Sequence, residues 1–414
     1  MAAVKAGGSG ARPASPMSIT ARPRRVLMLA ACPMPAPQGT QVYVGQLADA
    51  LARRGHAVEL VTYGIGVGDL RAHDGAARFA VCRARAAPGH RKTAPGPSWG
   101  RPAADGLLVL AALGAARRAR ASGAPFDLIH AHNYEGALVG ALVGRLSGLP
   151  MLYHAHNLMG DELGTYFDEP GMKALGAAFG RWLDARVPPL ADAAVAISRA
   201  AQRRLEIARG GPVAWLPPAV DFGPPVASLP CKPLIYIGNV DGYQGVEVML
   251  GALSRLRGRG DAGCTIVTAD ERAAGQVAAF GLGERVEVVE HGDFEAVKGR
   301  LAGARVALLP RVVASGYPIK LLNYLAAGRP VVACEGGAQG LGLAEGVVST
   351  PDGDEGAFAA AIERLLDDRA MAVVLGERAR EASARFAWPA SVEALEAVYE
   401  EMLGGKGLPS RARG

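Results

Sequence analysis

Short apolar runs alternate with longer segments of helical periodicity along most of the chain. Residues 26–31 carry only apolar side chains, and an amphipathic segment over residues 41–54 separates them from the next largely apolar run at residues 58–62. A continuous apolar run is typical of a buried parallel strand, and parallel strands need a crossover helix between them. The pattern therefore predicts a strand, a helix and a second strand of one parallel sheet.

This alternation continues through two successive series of elements. The first series predicts further strands and helices, with Ser198 capping a helix that opens there: strands at 127–130, 151–154, 193–197 and 213–216, and helices at 107–121, 136–146 and 172–187. The second series predicts strands at 234–238, 264–268, 286–289, 306–309 and 330–334, and helices at 245–257, 321–327, 356–366 and 391–403. Residues 83–102 are rich in proline, glycine and arginine and are predicted to form a loop.

The length of the chain supports two domains. With 414 residues and 50% hydrophobic positions, the chain can fill two cores of roughly 150 to 200 residues each. Residues 217–233 contain six prolines and little periodicity, which is typical of a linker. We predict a tail at 1–23, a first domain at 24–216, a linker at 217–233, a second domain at 234–385, a last helical segment at 386–404 and a tail at 405–414.

Cysteine usage and hydropathy favour a cytoplasmic protein. The five cysteines have neither a paired spacing nor a metal-ligand spacing, so we expect free thiols in a reducing compartment. The sequence has no apolar run of the roughly 20 residues that a membrane-spanning helix needs. The run at residues 26–32 follows arginines, as a secretory signal would, but Pro33 and Pro35 interrupt it and no typical cleavage site follows.

Charge is distributed unevenly between the two halves of the chain. Residues 1–215 contain 25 Lys and Arg against 14 Asp and Glu, a net charge of +11, whereas the remainder has a net charge of −5. A basic half suits an anionic partner. Few aromatic residues lie among the arginines, so we predict no nucleic-acid binding. An anionic membrane surface and a merely solvated arginine-rich face both remain open, and we expect a cytoplasmic protein that either stays in solution or is peripheral on the inner face of the membrane.

Candidate chemistry in the first half lies where the predicted strands end. Gly39 and Thr40 follow the first strand, where a glycine allows an anion or a sugar to approach the backbone, although such a glycine is more often part of a turn. Two His-Ala-His-Asn sequences follow neighbouring strands: His130 to Asn133 and His154 to Asn157. Four imidazoles could bind zinc, but no carboxylate or cysteine completes a familiar spacing. We therefore predict no metal site and a polar cleft floor with one functional histidine.

The second half has one comparable segment, residues 315–323, which follows a strand and opens a helix. Pro318 suits the first turn of a helix, and the free backbone amides of that turn can face a diphosphate. Lys320 would add a full positive charge beside those amides. The alternative is that Lys320 is a solvated helix residue.

An ordered set of motifs resembles the family 4 retaining glycosyltransferases, and the resemblance extends from residue 25 to about residue 403. The matching segments are residues 39–44 (GTQVYV), 54–56 (RGH), 127–133 (DLIHAHN), 196–198 (AIS), 216–221 (LPPAVD) and 326–332 (AAGRPVV). The resemblance implies the GT-B fold, in which two Rossmann-like domains face each other across a cleft and the last helix crosses back to the first domain.

The resemblance also implies an activity. It implies transfer of a hexose with retention of configuration, without a metal or another cofactor, from a nucleoside diphosphate sugar held mainly by the second domain. The acceptor would lie mainly against the first domain, near His132, Asn133 and Asn157. His156 resembles the family's cleft histidine that contacts the donor sugar, and we predict it as the catalytic residue.

The chain departs from the family pattern at the donor site. Asn239 and Gln244 stand where many relatives have an arginine and a lysine on the diphosphate, and Ser315 and Asn323 stand where they have two glutamates. We expect Lys320, with Arg311, to supply the missing positive charge and Asn323 to keep the contact with the ribose. The predicted donor-binding residues are Gly39, Thr40, Gly238, Asn239, Gln244, Arg311, Ser315, Gly316, Ile319, Lys320, Leu321 and Asn323.

The sequence thus predicts a glycosyltransferase that uses a nucleotide sugar and a glycan or lipid-linked acceptor, in the synthesis of cell-surface polysaccharide or glycolipid. Two alternatives remain. The first is an enzyme resembling sugar-nucleotide epimerases, for which Glu135, Asp161 and Glu162 are candidate proton-transfer groups. The second is a catalytically silent partner subunit, which would agree with the lost donor-site charges.

Overall fold

A computed structural model describes most of the chain. The described residues are 22–36, 38–89, 92–93, 98–167, 169–223, 226–290, 294–312 and 317–404. Both predicted tails lie almost entirely outside these ranges, as do the candidate donor residues Ser315 and Gly316.

The first domain is built on a sheet of seven parallel strands in the order β3-β2-β1-β4-β5-β6-β7. The strands are β1 (Arg25–Ala30), β2 (Ala57–Thr62), β3 (Ala80–Arg83), β4 (Leu128–His132), β5 (Met151–Ala155), β6 (Ala193–Ala196) and β7 (Ala214–Trp215). The α-helices are α1 (Gly39–Arg53), α2 (Leu70–Ala76), α3 (Arg101–Ala121), α4 (Asn133–Ser147), α5 (Met159–Glu162), α6 (Pro170–Arg186) and α7 (Arg199–Arg209). As predicted, Ser198 caps α7, since its hydroxyl accepts a hydrogen bond from the Ala201 amide at 3.1 Å.

The second domain has six parallel strands in the order β10-β9-β8-β11-β12-β13. They are β8 (Leu234–Ile237), β9 (Cys264–Val267), β10 (Val286–Val289), β11 (Val306–Leu309), β12 (Val331–Cys334) and β13 (Val347–Thr350). Its α-helices are α8 (Val246–Arg255), α9 (Arg272–Ala279), α10 (Phe294–Gly303), α11 (Ile319–Ala326), α12 (Glu335–Ala338), α13 (Glu355–Asp367) and α14 (Arg369–Ser383), and α15 (Trp388–Gly404) follows them. The predicted fold of two parallel-sheet domains is confirmed.

Each sheet has one place where the order of strands reverses direction, between β1 and β4 in the first and between β8 and β11 in the second. Crossover helices leave such adjacent strands towards opposite faces of the sheet, so a crevice forms beyond their carboxyl ends. His132, Gly238 and Arg311 lie at or just beyond the carboxyl ends of β4, β8 and β11. The topology therefore brings sequence-predicted site residues to the crevice of each sheet.

Helix α15 returns to the first domain and completes its core. Its apolar side chains pack with β1, β2 and α1, and Tyr399 is fully buried there. Glu396 forms an ion pair with Arg54 at 2.6 Å and accepts a hydrogen bond from His56 Nε2 at 2.9 Å. Apolar burial and paired charges thus fix the helix on the first domain, as the family resemblance implied.

The chain passes between the domains twice, and the two crossings lie side by side. Residues 217–223 and 226–233 contain no helix, and the amide of Val220 donates a hydrogen bond to the Phe386 carbonyl at 2.9 Å. Val220 also forms an isolated parallel bridge with Ala387. The segment leaving the first domain is therefore hydrogen-bonded to the segment that returns to it.

Candidate active site

The two domains approach each other where α1 and α11 begin. A Cβ atom added to Gly39, the first residue of α1, would lie 3.7 Å from Cδ1 of Ile319, the first residue of α11. Because the backbone amides of a helix's first turn lack intrahelical partners, both helices present donors at this level. Gly39 and Thr40 also line a cavity of the first domain, so the structure places them between that cavity and α11.

Four buried histidines lie beneath the cleft on the first-domain side. His130 Nδ1 is 2.6 Å from the Tyr399 hydroxyl, and His130 Nε2 is 3.0 Å from His154 Nδ1. A second contact of 3.0 Å joins His132 Nδ1 to His156 Nε2. Since β4 extends to His132, alternation points His130 and His132 to the same face, and their rings stack at 4.4 Å between centroids.

Burial keeps these imidazoles neutral. It lowers the pKa of all four histidines, and for His130, His132 and His154 the neighbouring histidines lower the pKa further. For His156 burial lowers the pKa to about 3. A neutral ring can donate one hydrogen bond and accept another, so His156 can orient a hydroxyl group but carries no positive charge near neutral pH.

Surrounding aromatic rings fix the position of His156. Its ring meets Tyr43 edge-on, at 5.3 Å between centroids, and Tyr43 in turn stacks on Trp388 of α15. The side chain of His156 is therefore packed against Tyr43, and its hydrogen bond with His132 restrains the rotation of the ring.

Within the described ranges, three histidines lie close enough to share a metal ion. Nitrogen atoms of His130, His132 and His154 lie within 4.8 Å of one another. However, His130 and His154 are already hydrogen-bonded to each other, and no carboxylate belongs to the group. To bind an ion, His130 and His154 would have to give up the hydrogen bond between them, which disfavours a metal site. Metal independence stays a prediction.

Asn133 and Asn157 both line the first-domain cavity, which has a volume of about 740 Å³ and is bounded by α1, α3, α4 and α6. Asn133 has a positive φ of 59°, a conformation that asparagine tolerates better than most residues. Asn157 Nδ2 donates to Glu162 Oε2 at 2.9 Å. Both amides thus lie next to His132 and His156, as the two His-Ala-His-Asn sequences require.

Charged and apolar residues that sequence reasoning did not assign to an acceptor site line the rest of this cavity. Arg101 Nη1 forms an ion pair with Glu135 Oε1 at 2.9 Å. Burial raises the pKa of Glu135 to about 7 although Arg101 opposes this change. Leu138, Leu175 and Phe179 form an apolar wall. The cavity can therefore hold a molecule with both a polar and an apolar part.

On the second-domain side, Lys320 is the central cation of the candidate donor site. Its ammonium donates to Gln244 Oε1 at 2.9 Å and to the Tyr236 hydroxyl at 3.1 Å, and it lies 4.4 Å from the centre of the Tyr236 ring. No described carboxylate is paired with it. Burial, and secondarily the charge of Arg311, lower the pKa of Lys320 to about 7. A site that holds a desolvated ammonium without a counter-ion is suited to an anionic ligand.

Gly238 makes room for this ammonium. It directly follows β8 with a φ of +133°, and a Cβ atom there would lie 2.5 Å from Lys320 Nζ. Asn239 follows it, but its side-chain amide donates to Asp241 at 2.8 Å and it is exposed. In many relatives the segment after β8 supplies the cations of this region, near Gly238 and Gln244. Here Lys320 reaches the same region from α11.

The remaining predicted donor residues divide into two groups. Arg311 lies at the end of β11 with its guanidinium 5.4 Å from the centre of the Tyr243 ring, and Asn323 lies on the same face of α11 as Lys320. Leu321 is different, because its side chain is fully buried in the domain core and its amide donates to the Pro318 carbonyl. The structure therefore does not bring Leu321 to the site.

A recess of about 760 Å³ next to Gly238 and Asn239 was not predicted. It is lined by the segment after β9, where Arg272 forms ion pairs of 2.6 Å with both Asp241 and Asp270. The pKa of Asp270 is lowered, first by its hydrogen bond with Arg272. This recess extends the donor side of the cleft towards β9.

In the part of the chain that the structure describes, none of the helices combines the length and the apolar character needed to cross a bilayer.

Comparison with known proteins identifies both domains. Residues 38–218 match the family model for a "Glycosyl transferase 4-like domain", and residues 231–368 match that for "Glycosyl transferases group 1". A D-inositol 3-phosphate glycosyltransferase of Mycolicibacterium smegmatis is 26% identical over 413 residues, which cover 92% of each chain. D-inositol 3-phosphate glycosyltransferase 1 of Catenulispora acidiphila is 28% identical, over 69% of this chain and 74% of the relative.

Solved structures agree with this result at the level of the fold. Sucrose-phosphate synthase of Thermosynechococcus elongatus superposes with a TM-score of 0.73 at 20% identity, covering 92% of this chain and all of that one. The Anabaena protein HepE in complex with UDP and glucose gives a TM-score of 0.67 at 16% identity, covering 91% and 100% of the two chains. The family-model matches over residues 38–218 and 231–368 show that the chain belongs to the family 4 glycosyltransferases, and the solved structures show that it has their GT-B fold.

Proposed function

We propose that the enzyme transfers a hexose, with retention of configuration and without a metal ion, from a nucleoside diphosphate sugar to a glycan or lipid-linked acceptor. We assign this reaction to the synthesis of cell-surface polysaccharide or glycolipid. The observation that carries the proposal is the buried ammonium of Lys320, which no described carboxylate neutralises, at the start of α11, where Ile319 approaches Gly39 of the first domain. Three HepE structures are named as complexes with UDP, with UDP and glucose, and with UDP-glucose. These complexes support the choice of a nucleoside diphosphate sugar as donor.

The donor diphosphate would lie against the beginning of α11. Lys320 and the positive end of the α11 dipole stabilise negative charge there, and Arg311 adds a second cation nearby. Charge grows on the diphosphate as the bond to the sugar breaks, so these groups bind the transition state more strongly than the ground state. Asn323, one turn along the same face, can donate to a ribose hydroxyl.

The sugar would lie between Lys320 and His156. A neutral His156 hydrogen-bonds a sugar hydroxyl and holds the ring, while Asn133 and Asn157 receive the acceptor hydroxyl from the first-domain cavity. In this arrangement the leaving diphosphate accepts the acceptor proton, and no protein nucleophile is required. Positioning and charge stabilisation then supply most of the rate enhancement.

We also propose a cytoplasmic location. All five cysteines are free thiols in the structure, and Cys32, Cys264 and Cys334 are buried. A reducing compartment keeps such thiols unpaired.

The epimerase-like activity remains the second candidate, and Glu135 supports it. Its pKa of about 7 suits a group that both donates and accepts a proton. Glu135 and Glu162 line the first-domain cavity, whereas Asp161 forms an ion pair with Arg204 at 2.7 Å. Conversion of a nucleotide sugar into an isomer without an acceptor would identify this activity.

A nucleotide sugar of the right class is expected to raise the melting temperature of the protein by a few degrees at saturation without added metal, because it binds only the folded state. The measurement is a thermal shift against UDP, GDP and ADP sugars, repeated with EDTA. A shift that EDTA abolishes would contradict metal independence. No shift with any donor would favour the alternative of a catalytically silent subunit. A separate assay of donor hydrolysis in the absence of acceptor distinguishes an active transferase from such a subunit.

Donor affinity is expected to fall as the pH rises above about 7. The pKa of Lys320 is about 7 in the free protein, and a bound diphosphate stabilises its charged form, so binding takes up a proton. The dissociation constant of UDP-glucose should rise by up to about tenfold per pH unit above that value, as measured by calorimetry. UDP-glucose is chosen because its diphosphate has no proton to lose in this range. In Lys320→Arg the dependence should disappear, and a flat profile in the wild type would contradict this role.

A further inference from the structure

Helix α4 exposes a row of leucines. Leu138, Leu142 and Leu146 follow one another at intervals of four residues, which places them on one face of the helix. Between 44% and 63% of each side chain is exposed. A soluble domain would normally carry polar residues on such a face.

Helix α6 exposes a second apolar row next to this one. Leu175, Phe179 and Trp182 are each more than half exposed, and the rings of Phe179 and Trp182 stack at 5.6 Å between centroids. Helices α4 and α6 cover the same side of the sheet, because both connect consecutive strands in the same direction of the strand order. We call these six side chains the leucine–aromatic face.

Close packing fixes the orientation of α6 that exposes its large apolar side chains. A Cβ atom at Gly180 would lie 2.1 Å from the Met159 carbonyl oxygen, and one at Gly176 would lie 3.1 Å from the Leu163 carbonyl oxygen. Only a glycine edge allows α6 to approach α5 so closely. The helix therefore cannot turn its aromatic row inwards without losing this contact.

Charges around the leucine–aromatic face are mostly positive. Helices α4 and α6 carry the exposed cations Arg145, Lys173, Arg181 and Arg186. Their two acidic residues are turned inwards: Glu135 pairs with Arg101, and Asp184 accepts hydrogen bonds from the amides of Met159 and Gly160. An apolar surface bordered by cations complements an anionic lipid surface.

The leucine–aromatic face is continuous with the candidate acceptor site. Leu138, Leu175 and Phe179 also line the first-domain cavity, as do Asn133 and Asn157. A protein seated on this face would cover the apolar wall of the cavity and hinder entry of the acceptor. A lipid bilayer at the same place would instead supply an acceptor with a hydrocarbon part.

We propose that the leucine–aromatic face docks on an anionic bilayer, so that the first-domain cavity receives a lipid-linked acceptor directly from the membrane. This inference rests on the proposed function, of which it selects one acceptor class. The hydrocarbon part of the acceptor lies along Leu138, Leu175 and Phe179, and its hydroxyl group reaches Asn133 and Asn157.

The test is co-sedimentation of the full chain with vesicles of equal parts phosphatidylglycerol and phosphatidylcholine. We expect the wild type to bind, and the double variant Phe179→Ser/Trp182→Ser to bind at least about tenfold more weakly because two large apolar side chains no longer enter the lipid. The matched control is Ile207→Ser/Val373→Ser, which removes apolar side chains that are 84% and 55% exposed elsewhere. This control should bind like the wild type.

Three results would overturn the inference: no wild-type binding, equal binding of the Phe179→Ser/Trp182→Ser variant, or equal loss in the control. Conversion of a wild-type dimer into a monomer by the same variant, without vesicle binding, would show that the face is a protein interface. The thermal shift with a nucleotide sugar separates this test from the proposed function. A variant that keeps this shift but loses vesicle binding supports both proposals, and a wild type that shows the shift without vesicle binding contradicts the membrane face alone.

Discussion

Replacing Lys320 with alanine is expected to weaken the binding of UDP-glucose about a hundredfold. The ammonium is hydrogen-bonded to Gln244 and Tyr236 and has no paired carboxylate among the described residues, so a bound diphosphate would be its counter-ion. A hydrogen bond to a charged group contributes about 1.5–3 kcal/mol, and the upper part of this range corresponds to a hundredfold change in the dissociation constant. Calorimetric titration of the variant measures the loss directly.

Folding of the Lys320→Ala variant can be checked independently. Removing a desolvated cation that no carboxylate of the described residues neutralises relieves an electrostatic penalty, so the ligand-free variant should melt no lower than the wild type. Arg255→Ala is the control, because Arg255 is exposed on α8 and pairs with Glu355 away from the cleft. Unchanged affinity in Lys320→Ala would refute the diphosphate role of this lysine.

Replacing His156 with alanine is expected to lower the rate of sugar transfer by about a hundredfold or more, while the affinity for UDP-glucose falls by a smaller factor. Loss of one fixed hydrogen-bond donor in a preorganised site typically costs a factor of this size. His156 is held by His132 and Tyr43, so alanine also leaves the sugar without a fixed partner. Steady-state kinetics and calorimetry on the same variant separate the effect on transfer from the effect on binding.

The protonation state of His156 gives this prediction a second readout. Because burial lowers its pKa to about 3, protonation of this ring should not affect the wild-type rate between about pH 5 and pH 8. His73→Ala is the control, since His73 is partly exposed and contacts Asp74 outside the cleft. Equal transfer rates in wild type and His156→Ala would remove His156 from the mechanism.

The fold could be predicted where strands are largely apolar. Strand β5 is buried along its whole length and strand β1 is buried from Val26 to Ala30, and such runs are visible without any knowledge of tertiary structure. Strand β3 was missed because it is a short edge strand of which every residue is at least partly exposed. Helix α3 begins at Arg101, six residues before its predicted start, because Pro102 in its first turn was read as part of a loop.

The candidate site could be predicted in part, and helical periodicity explains one failure. The free amides at a helix start suggested that every residue near Lys320 faces the donor. In α11, however, Lys320 and Asn323 share one face, while Leu321, Leu322 and Tyr324 fill the core. Residues three positions apart lie on the same face of a helix, so Asn323 shares the face of Lys320 and Leu321 does not. The sequence therefore already contained the signal that excludes Leu321.

Other contacts could not be predicted because they join distant parts of the chain. Lys320 and Gln244 are 76 residues apart, and only the packing of α11 against β8 brings them to 2.9 Å. Arg101 and Glu135 are 34 residues apart, and Arg101 lay in a segment predicted as a loop. Side-chain contacts of this kind depend on how helices pack on a sheet, which a pattern of apolar positions does not specify.

The return of α15 to the first domain has a consequence for the order of folding during synthesis. Tyr399 fills part of the first-domain core, and its hydroxyl lies 2.6 Å from Nδ1 of His130, which is made 269 residues earlier. A ribosome therefore completes the whole second domain before the last part of the first domain emerges. Until then the core that β1, α1 and α15 share stays partly open. The nascent first domain therefore needs protection from aggregation while the second domain folds.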